Sequence, residues 1–271
     1  MSADARVGLS VDDRVGLAEL RLERPDAGNA IDPAWVSAFR SVVEQIAVRA
    51  EDGGDGRVRA VLISAAGSAF TVGGDLRHFA AHREDLAAEL NAMVPPFHDA
   101  LLRLAELPVP VVAAVQGPVA GGGLGLAWCS DVVLAAPQAR FATGFHLLGL
   151  SGDGASSWWL PRLVGLRRAQ QMLLQGRVLD ADEALEWGLI SEVVPSDELA
   201  ARARSVAVGL AEGPTLALGR IRALLRDASE TTLAEHYARE AREIVACGDT
   251  RDAVEGTAAF AERRPPEFRG R

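Results

Sequence analysis

Two glycine clusters in this 271-residue chain could bring backbone N–H groups up to a ligand: Val72-Gly73-Gly74-Asp75 and Gly121-Gly122-Gly123. Each follows an apolar run that reads as a strand and precedes a run that reads as a helix. Glycine tolerates positive φ and lets a ligand approach the main chain closely. A helix start adds unpaired N–H groups and the positive end of its dipole. Two such loops facing one point would donate two N–H groups to a developing oxyanion. Taken singly, each Gly-Gly pair reads equally well as a tight turn. Other glycine-loop chemistries fail on the residues. A phosphate-binding loop of the Gly-x-x-x-x-Gly-Lys type needs lysine, and the chain has none. The dinucleotide spacing Gly-x-Gly-x-x-Gly, counted from Gly121, meets Leu126 where glycine is required. A nucleophile elbow fails at Gly154-Ala155-Ser156-Ser157-Trp158, which lacks the second glycine.

The elements that must hold these loops can be read from periodicity. Val7, Leu9 and Val11, then Val15, Leu17, Leu20 and Leu22, flank Asp12-Asp13-Arg14 as a β-hairpin. Asp32-Pro33 caps a helix whose apolar face is Trp35, Val36, Phe39, Val42, Val43 and Ile46. Residues 51–56 read as a turn, 58–64 as a strand and 67–75 as a loop. A helix is predicted over 84–107, broken or kinked at Pro95-Pro96. Val109 to Val115 is a continuous apolar run, as in a strand buried on both faces. The second glycine cluster opens a helix to Cys129, and 132–135 is a further strand. Strand–helix–strand units between 58 and 194 predict an α/β fold with a largely parallel sheet. From about residue 196 only helices remain, over 197–211, 215–225, 231–246 and 251–262. The chain thus divides into an α/β core, 1–195, carrying the site, and a helical region, 196–271.

Composition bounds the function. Hydrophobic residues make up 49% and charged residues 24%, enough for a sizeable core. No stretch approaches 18 uncharged apolar residues, and Met1 to Arg6, with Asp4, lacks the apolar stretch of a signal peptide. The net charge of −9 argues against nucleic acid or an anionic membrane as the main partner. All 28 basic residues are arginine, which excludes a lysine Schiff base and a pyridoxal-phosphate enzyme. Cys129 and Cys247 stand far apart, which excludes a disulfide framework and a zinc ribbon; a cytoplasmic setting is expected, with no metal site.

Several motifs in order carry a family resemblance. They are Arg24-Pro25-x-x-x-Asn29-Ala30, Phe70-Thr71-Val72-Gly73-Gly74-Asp75-Leu76, Pro110 to Gly123, Ser130-Asp131, Leu160 to Gly165, Ala184-x-x-Trp187-Gly188-Leu189-Ile190 and Glu255 to Pro265. Together they span almost the whole chain, which resembles the crotonase superfamily, the enoyl-CoA hydratase/isomerase group. The resemblance implies a crotonase-like spiral of ββα units with a helical C-terminal region for trimerisation, as a homotrimer or homohexamer. It implies an acyl-CoA thioester substrate, with coenzyme A as part of that substrate and no further cofactor. The two oxyanion-hole donors fall on Gly74 and Gly122. Substrate contacts fall on Ala30, Phe70, Val72, Gly73, Gly121, Phe145 and His146.

The resemblance to hydratases would place two glutamates at 125 and 145, where this chain has Gly125 and Phe145. Asp153 stands at the position where several crotonase branches carry an aspartate: the ring-opening isomerase of epoxyphenylacetyl-CoA, 4-chlorobenzoyl-CoA dehalogenase and dihydroxynaphthoyl-CoA synthase. Taken alone, Asp153 is either a proton shuttle in an apolar pocket or a turn residue capping the next helix. His98 matches the histidine that activates water in the dehalogenase; alone, it reads as an ordinary packed or surface residue. The dehalogenase's tryptophan and phenylalanine are replaced here by Phe145 and Gly74. The expected activity is enoyl-CoA isomerisation with Asp153 as single proton shuttle, because a proton shift needs one acid/base group and concerted hydration benefits from two. The alternatives are hydration, hydrolysis with Asp153 as nucleophile and His98 activating water, and acyl-CoA binding without turnover. Arg263 and Arg264 read as a solvated charge run or as contacts to coenzyme A phosphates of a neighbouring subunit. Trp158, Trp159 and Trp187 read as packing residues, and Cys129 as a buried thiol.

Overall fold

In the computed structural model, residues 6–52 and 56–271 are described. Residues 1–5, and with them most of the Met1–Arg6 segment, lie outside this range, as do residues 53–55 of the 51–56 turn. Strands β1 (Val7–Asp12) and β2 (Leu17–Leu22) form the expected antiparallel hairpin. Helix α1 (Pro33–Glu51) starts where the cap signal places it, with the Asp32 carboxylate accepting the Trp35 N–H at 2.8 Å. Strand β3 (Ala60–Ala65), helices α2 (Leu76–Ala81) and α3 (Leu86–Ala105), and strands β4 (Val111–Val115) and β5 (Val119–Ala120) follow. Then come α4 (Leu124–Trp128), β6 (Val132–Ala135), β7 (Arg140–Ala142), α5 (Ser156–Val164), α6 (Leu166–Gln175), β8 (Leu179–Asp180), α7 (Ala181–Trp187) and β9 (Glu192–Val193). Four helices close the chain: α8 (Leu199–Ala211), α9 (Thr215–Asp227), α10 (Leu233–Gly248) and α11 (Arg251–Glu262). Among the described residues no helix is long and apolar enough to cross a membrane.

The main sheet has the order β1-β2-β3-β4-β6-β9, parallel from β2 onward, and a small second sheet has the order β5-β7-β8. Side chains of the central strands alternate between two cores, as the two-residue period of a strand requires. Val61, Ile63, Val111 and Ala113 join α1 and α3 on one face. Ala60, Leu62, Val112 and Ala114 meet Leu199, Ala203, Ala207 and Ala211 of α8 on the other. The first helix of the 196–271 region therefore completes the core. The alanine stripe of α8 lets its backbone lie close to the sheet, and burial on both faces explains why β4 reads as an unbroken apolar run.

The sequence pattern predicts a break or kink at Pro95-Pro96; α3 runs through both residues as one helix, so the chain does not break there. The two prolines remove the bonds to the carbonyls of Asn91 and Ala92. Those carbonyls belong to exposed residues, on the side of the helix open to solvent, so the lost bonds cost little. The opposite face, with Met93, Phe97, Leu101 and Leu104, is buried and holds the helix down. Helix α2 falls between the loop predicted over 67–75 and the helix predicted from 84: its six residues bury no side chain, and Leu76 and Phe79 alone are too short a pattern to mark a helix.

One buried cation pins α9 to the core. Arg222, 8% exposed, donates from Nε to both carboxylate oxygens of Asp131 at 2.8 and 2.7 Å. Its terminal nitrogens donate to the carbonyls of Ala105, Leu107, Leu104 and Cys129. Asp131 in turn accepts the Val111 N–H that opens β4, at 2.7 Å. Without Arg222 these buried carbonyls lose their donor, while Asp131, which reaches the surface, stays hydrated. Arg222→Met is expected to lower unfolding free energy by about 1–3 kcal/mol in urea titrations. A loss within the range of surface substitutions would remove Arg222 from this role.

Candidate active site

Two loops and one helix meet at a cavity of about 620 Å³. The first loop is anchored by Asn29, whose side-chain amide donates to the carbonyls of Ala66 and Ala69 at 2.9 and 3.0 Å, and whose own carbonyl accepts from Thr71 Oγ1. The Ile31 N–H then donates to the Gly73 carbonyl, and the Asp75 N–H to the Ile31 carbonyl, each at 2.8 Å. That parallel bridge leaves the intervening Gly74 N–H outside its ladder. Asp75 caps α2 by accepting from the N–H groups of Arg77 and His78. Arg24 closes the arrangement, lying 2.8 Å from Asp75 and 3.3 Å from Asp32. Burial pushes the Asp75 carboxyl up, but hydrogen bonds from Arg24 and the α2 N–H groups, with the Arg24 charge, outweigh it; the net shift is downward. Arg24 and Asn29, which the resemblance only marks as motif residues, are thus the groups that shape this loop.

The second loop packs directly on the first. A Cβ on Gly73, which has φ +82°, would sit 2.7 Å from the Ala120 carbonyl oxygen and 3.3 Å from Gly121 Cα. Gly122 is the second residue of the single 3-10 turn Gly121–Gly123, so its N–H precedes the first bond of that turn. Among the described residues neither the Gly74 nor the Gly122 N–H donates to a protein acceptor, and both glycines line the cavity. Such a pair can stabilise a developing oxyanion.

The third segment brings in Asp153. Gly154 lies backbone against backbone on Gly122, so that a Cβ on Gly122 would run into the Asp153 carboxylate. Asp153 does not cap α5, whose N-cap is Ala155 with no side-chain bond. Its Oδ1 is instead 2.5 Å from His98 Nε2. His98 is carried by α3, which Phe97 fixes against Trp35 and Phe39 of α1, with ring centroids 6.0 and 5.9 Å apart. The hydrogen bond to Asp153 raises the His98 imidazole from its ordinary value; burial opposes this, and the charges of Asp153 and Asp99 reinforce it. Among the described residues lining the cavity, Asp153 is the one carboxylate and His98 the one imidazole. The remaining wall is largely apolar, with Phe79, Met93, Phe97, Phe145, Leu148 and Leu150.

Of the residues to which the resemblance assigns substrate contacts, Val72, Gly121 and Phe145 line the cavity. Gly73 supports Gly121 from behind, while Ala30 and Phe70 are core residues, 4% and 0% exposed. His146 is outside the cavity, with its ring against Gly176. Its place in the turn Phe145–Leu148 aims it away from the side that Phe145 faces. At position 125 a Cβ would already meet Leu101 Cδ1 at 2.6 Å and the Gly154 carbonyl oxygen at 2.9 Å. There is no space for a glutamate. Apart from His98, the wall residues of α2 and α3 carry no individual assignment from sequence, because Leu76 is exposed and reads as surface, while Met93 and Phe97 are buried and read as core.

Two further groups are accounted for. Cys129 is buried and its thiol is pushed up to about 12 by desolvation, which makes it inert. Arg264 is held in ion pairs with Glu255 and Glu262.

Comparisons with known proteins bear on this site. The enoyl-CoA hydratase/isomerase family model matches residues 12–271. A protein of Rhodobacter capsulatus named "Probable enoyl-CoA hydratase" is 37% identical over 256 residues, covering 94% of this chain and 95% of the relative. The 1,2-epoxyphenylacetyl-CoA isomerase of Escherichia coli K12 is 35% identical over 257 residues, covering 94% and 96%. A crystal structure of an enoyl-CoA hydratase from Polaromonas sp. JS666 superposes with a TM-score of 0.88 at 29% identity, covering 97% of this chain and 99% of that one.

The His98–Asp153 contact has a direct readout. A histidine stabilised in its charged form by a carboxylate holds its proton to higher pH, so removing the carboxylate lowers the midpoint. In an NMR titration of the imidazole, Asp153→Asn is expected to shift the His98 midpoint down. An unchanged or raised midpoint would show that the two groups are not coupled.

Proposed function

The chain belongs to the enoyl-CoA hydratase/isomerase family, and we propose that it is an enoyl-CoA isomerase in which Asp153 moves the proton. Asp153 takes a proton from the carbon α or γ to the thioester carbonyl. The electron pair passes into the carbonyl, and the N–H groups of Gly74 and Gly122 hold the resulting dienolate oxygen. Asp153 then returns the proton to the other carbon. Coenzyme A enters as part of the substrate, and no further cofactor takes part.

The observation that carries this reading is the position of Asp153: it is the one cavity-lining carboxylate among the described residues, and it lies against Gly122. Water addition between two carboxylates has no second carboxylate here, since position 125 is closed and position 145 holds a buried phenylalanine. His98 acts as the positioning residue that orients Asp153. The apolar wall suits an acyl chain or an aromatic ring. The hydrogen bond between His98 and Asp153 also favours a second reading, in which Asp153 is a nucleophile and His98 activates water for hydrolysis.

We further propose that the protein works in the cytoplasm as a trimer or a dimer of trimers. Support comes from the apolar side chains that α9 and α10 leave exposed, among them Leu225, Leu233, Tyr237, Ile244 and Val245. A face of this kind on a single chain marks an interaction surface. Sedimentation is expected to give a mass three or six times the 28.6 kDa of one chain, and a monomer would exclude this assembly.

The activity is tested with a panel of 2-enoyl-, 3-enoyl- and aromatic-CoA thioesters in ¹⁸O-water. A product of unchanged mass and altered retention time is the expected outcome. Gain of a whole labelled water would mean hydration, and labelled oxygen with loss of coenzyme A or halide would mean the hydrolytic reading. No product across the panel would favour a non-catalytic acyl-CoA binder. Asp153→Asn is expected to lower turnover by about 10²–10⁴-fold while leaving acyl-CoA affinity nearly unchanged. Full activity in that variant would refute the role given to Asp153.

A further inference from the structure

Sequence spacing predicts no metal site, yet α2 and α3 bring three donor side chains together beside the cavity. His78 lies on α2, His82 caps its end four residues later, and Glu89 sits in the first turn of α3. One ligand atom from each lies within 4.8 Å of the others. His78 Nε2 is 2.7 Å from Glu89 Oε2, and the two imidazole rings lie with centroids 4.4 Å apart. His82 Nδ1 is 2.9 Å from the His78 carbonyl oxygen. A carbonyl only accepts, so this contact puts the ring proton on Nδ1 and leaves a lone pair on Nε2. Metal-binding histidines are held in this way, one ring nitrogen donating to a carbonyl and the other bound to the ion.

We propose that His78, His82 and Glu89 form a binding site for a divalent ion of the zinc class. Two imidazoles and one carboxylate match the donors that zinc takes, with a fourth position left for water. Magnesium prefers oxygen donors in octahedral geometry and is not matched. A tetrahedral ion with bonds of about 2.0–2.1 Å holds its donors about 3.3 Å apart, so small rotations of three side chains complete the site. On binding, the ion takes the place of the proton between His78 Nε2 and Glu89 Oε2, and that proton leaves to solvent. The bound ion ties α2 to α3 across the turn Arg83–Asp85. Both helices wall the cavity, α2 through Leu76 and Phe79 and α3 through Leu90 and Met93. The ion therefore acts as a staple beside the cavity, whichever reaction the cavity performs.

The test is calorimetric titration of the chelator-stripped full-length protein with zinc chloride, and with magnesium chloride as the control. One zinc per chain is expected, with no response to magnesium. His82→Ala and Glu89→Gln are each expected to weaken zinc binding by at least about tenfold, and Glu84→Gln, an exposed neighbour, to leave it unchanged. Zinc should also raise the thermal midpoint of the unsubstituted protein and not that of His82→Ala; circular dichroism melts show that each variant folds. Absence of zinc binding would overturn the site. So would a single zinc that persists at full affinity in His78→Ala/His82→Ala, which would assign the ion to other donors such as His98 and Asp153.

Discussion

The site depends on main chain packed against main chain with no side chain between. Gly73 lies on Ala120 and Gly121, and Gly154 lies on Gly122. These contacts set three loops from distant parts of the chain in one place and leave two N–H groups of the first two unpaired beside the carboxylate of the third. Any Cβ at Gly73 or Gly122 would meet a carbonyl or the Asp153 carboxylate itself. The absence of side chains is therefore what creates the site, and its polar groups are mostly backbone.

Backbone contacts of this kind need rigid support, because they supply little apolar burial of their own. Here the support is polar and lies beneath the loops. Asn29 ties residues 24–30 to residues 66–69, and Arg24 joins Asp32, at the start of α1, to Asp75, at the start of α2. Both helix caps are held by one cation, so the loop bearing Gly74 follows the position of α1. On the opposite side Arg222 ties α9 to the end of α4 and the start of β4. The bonds of Arg24 and Arg222 are charge-assisted and partly buried, which makes them stronger than neutral ones.

Much of this was legible in the chain. The hairpin, the capped α1, the apolar strand β4 and the four C-terminal helices fall where periodicity and cap residues put them. Their signals are local: a cap and its helix are neighbours, and an apolar face repeats within one element. The family could also be read, since its motifs lie in order along the sequence. Helix α2 and the unbroken course of α3 were not legible. Six residues that bury nothing are too few to show a period, and whether two prolines break a helix depends on whether the freed carbonyls face water.

The sequence by itself thus determined the element types, the α/β class and the family, and it pointed to Gly74, Gly122, Asp153 and His98 as candidates. Only the tertiary structure decided which of these meet. It turned Asp153 toward His98 and away from a capping role, put His146 outside the cavity, and closed position 125 to any side chain. It also brought His78 and His82 to Glu89 of the next helix. The physical reason is that a residue's type states what its side chain can do. Its partners are set by the packing of segments remote in the chain, and no local spacing encodes that packing.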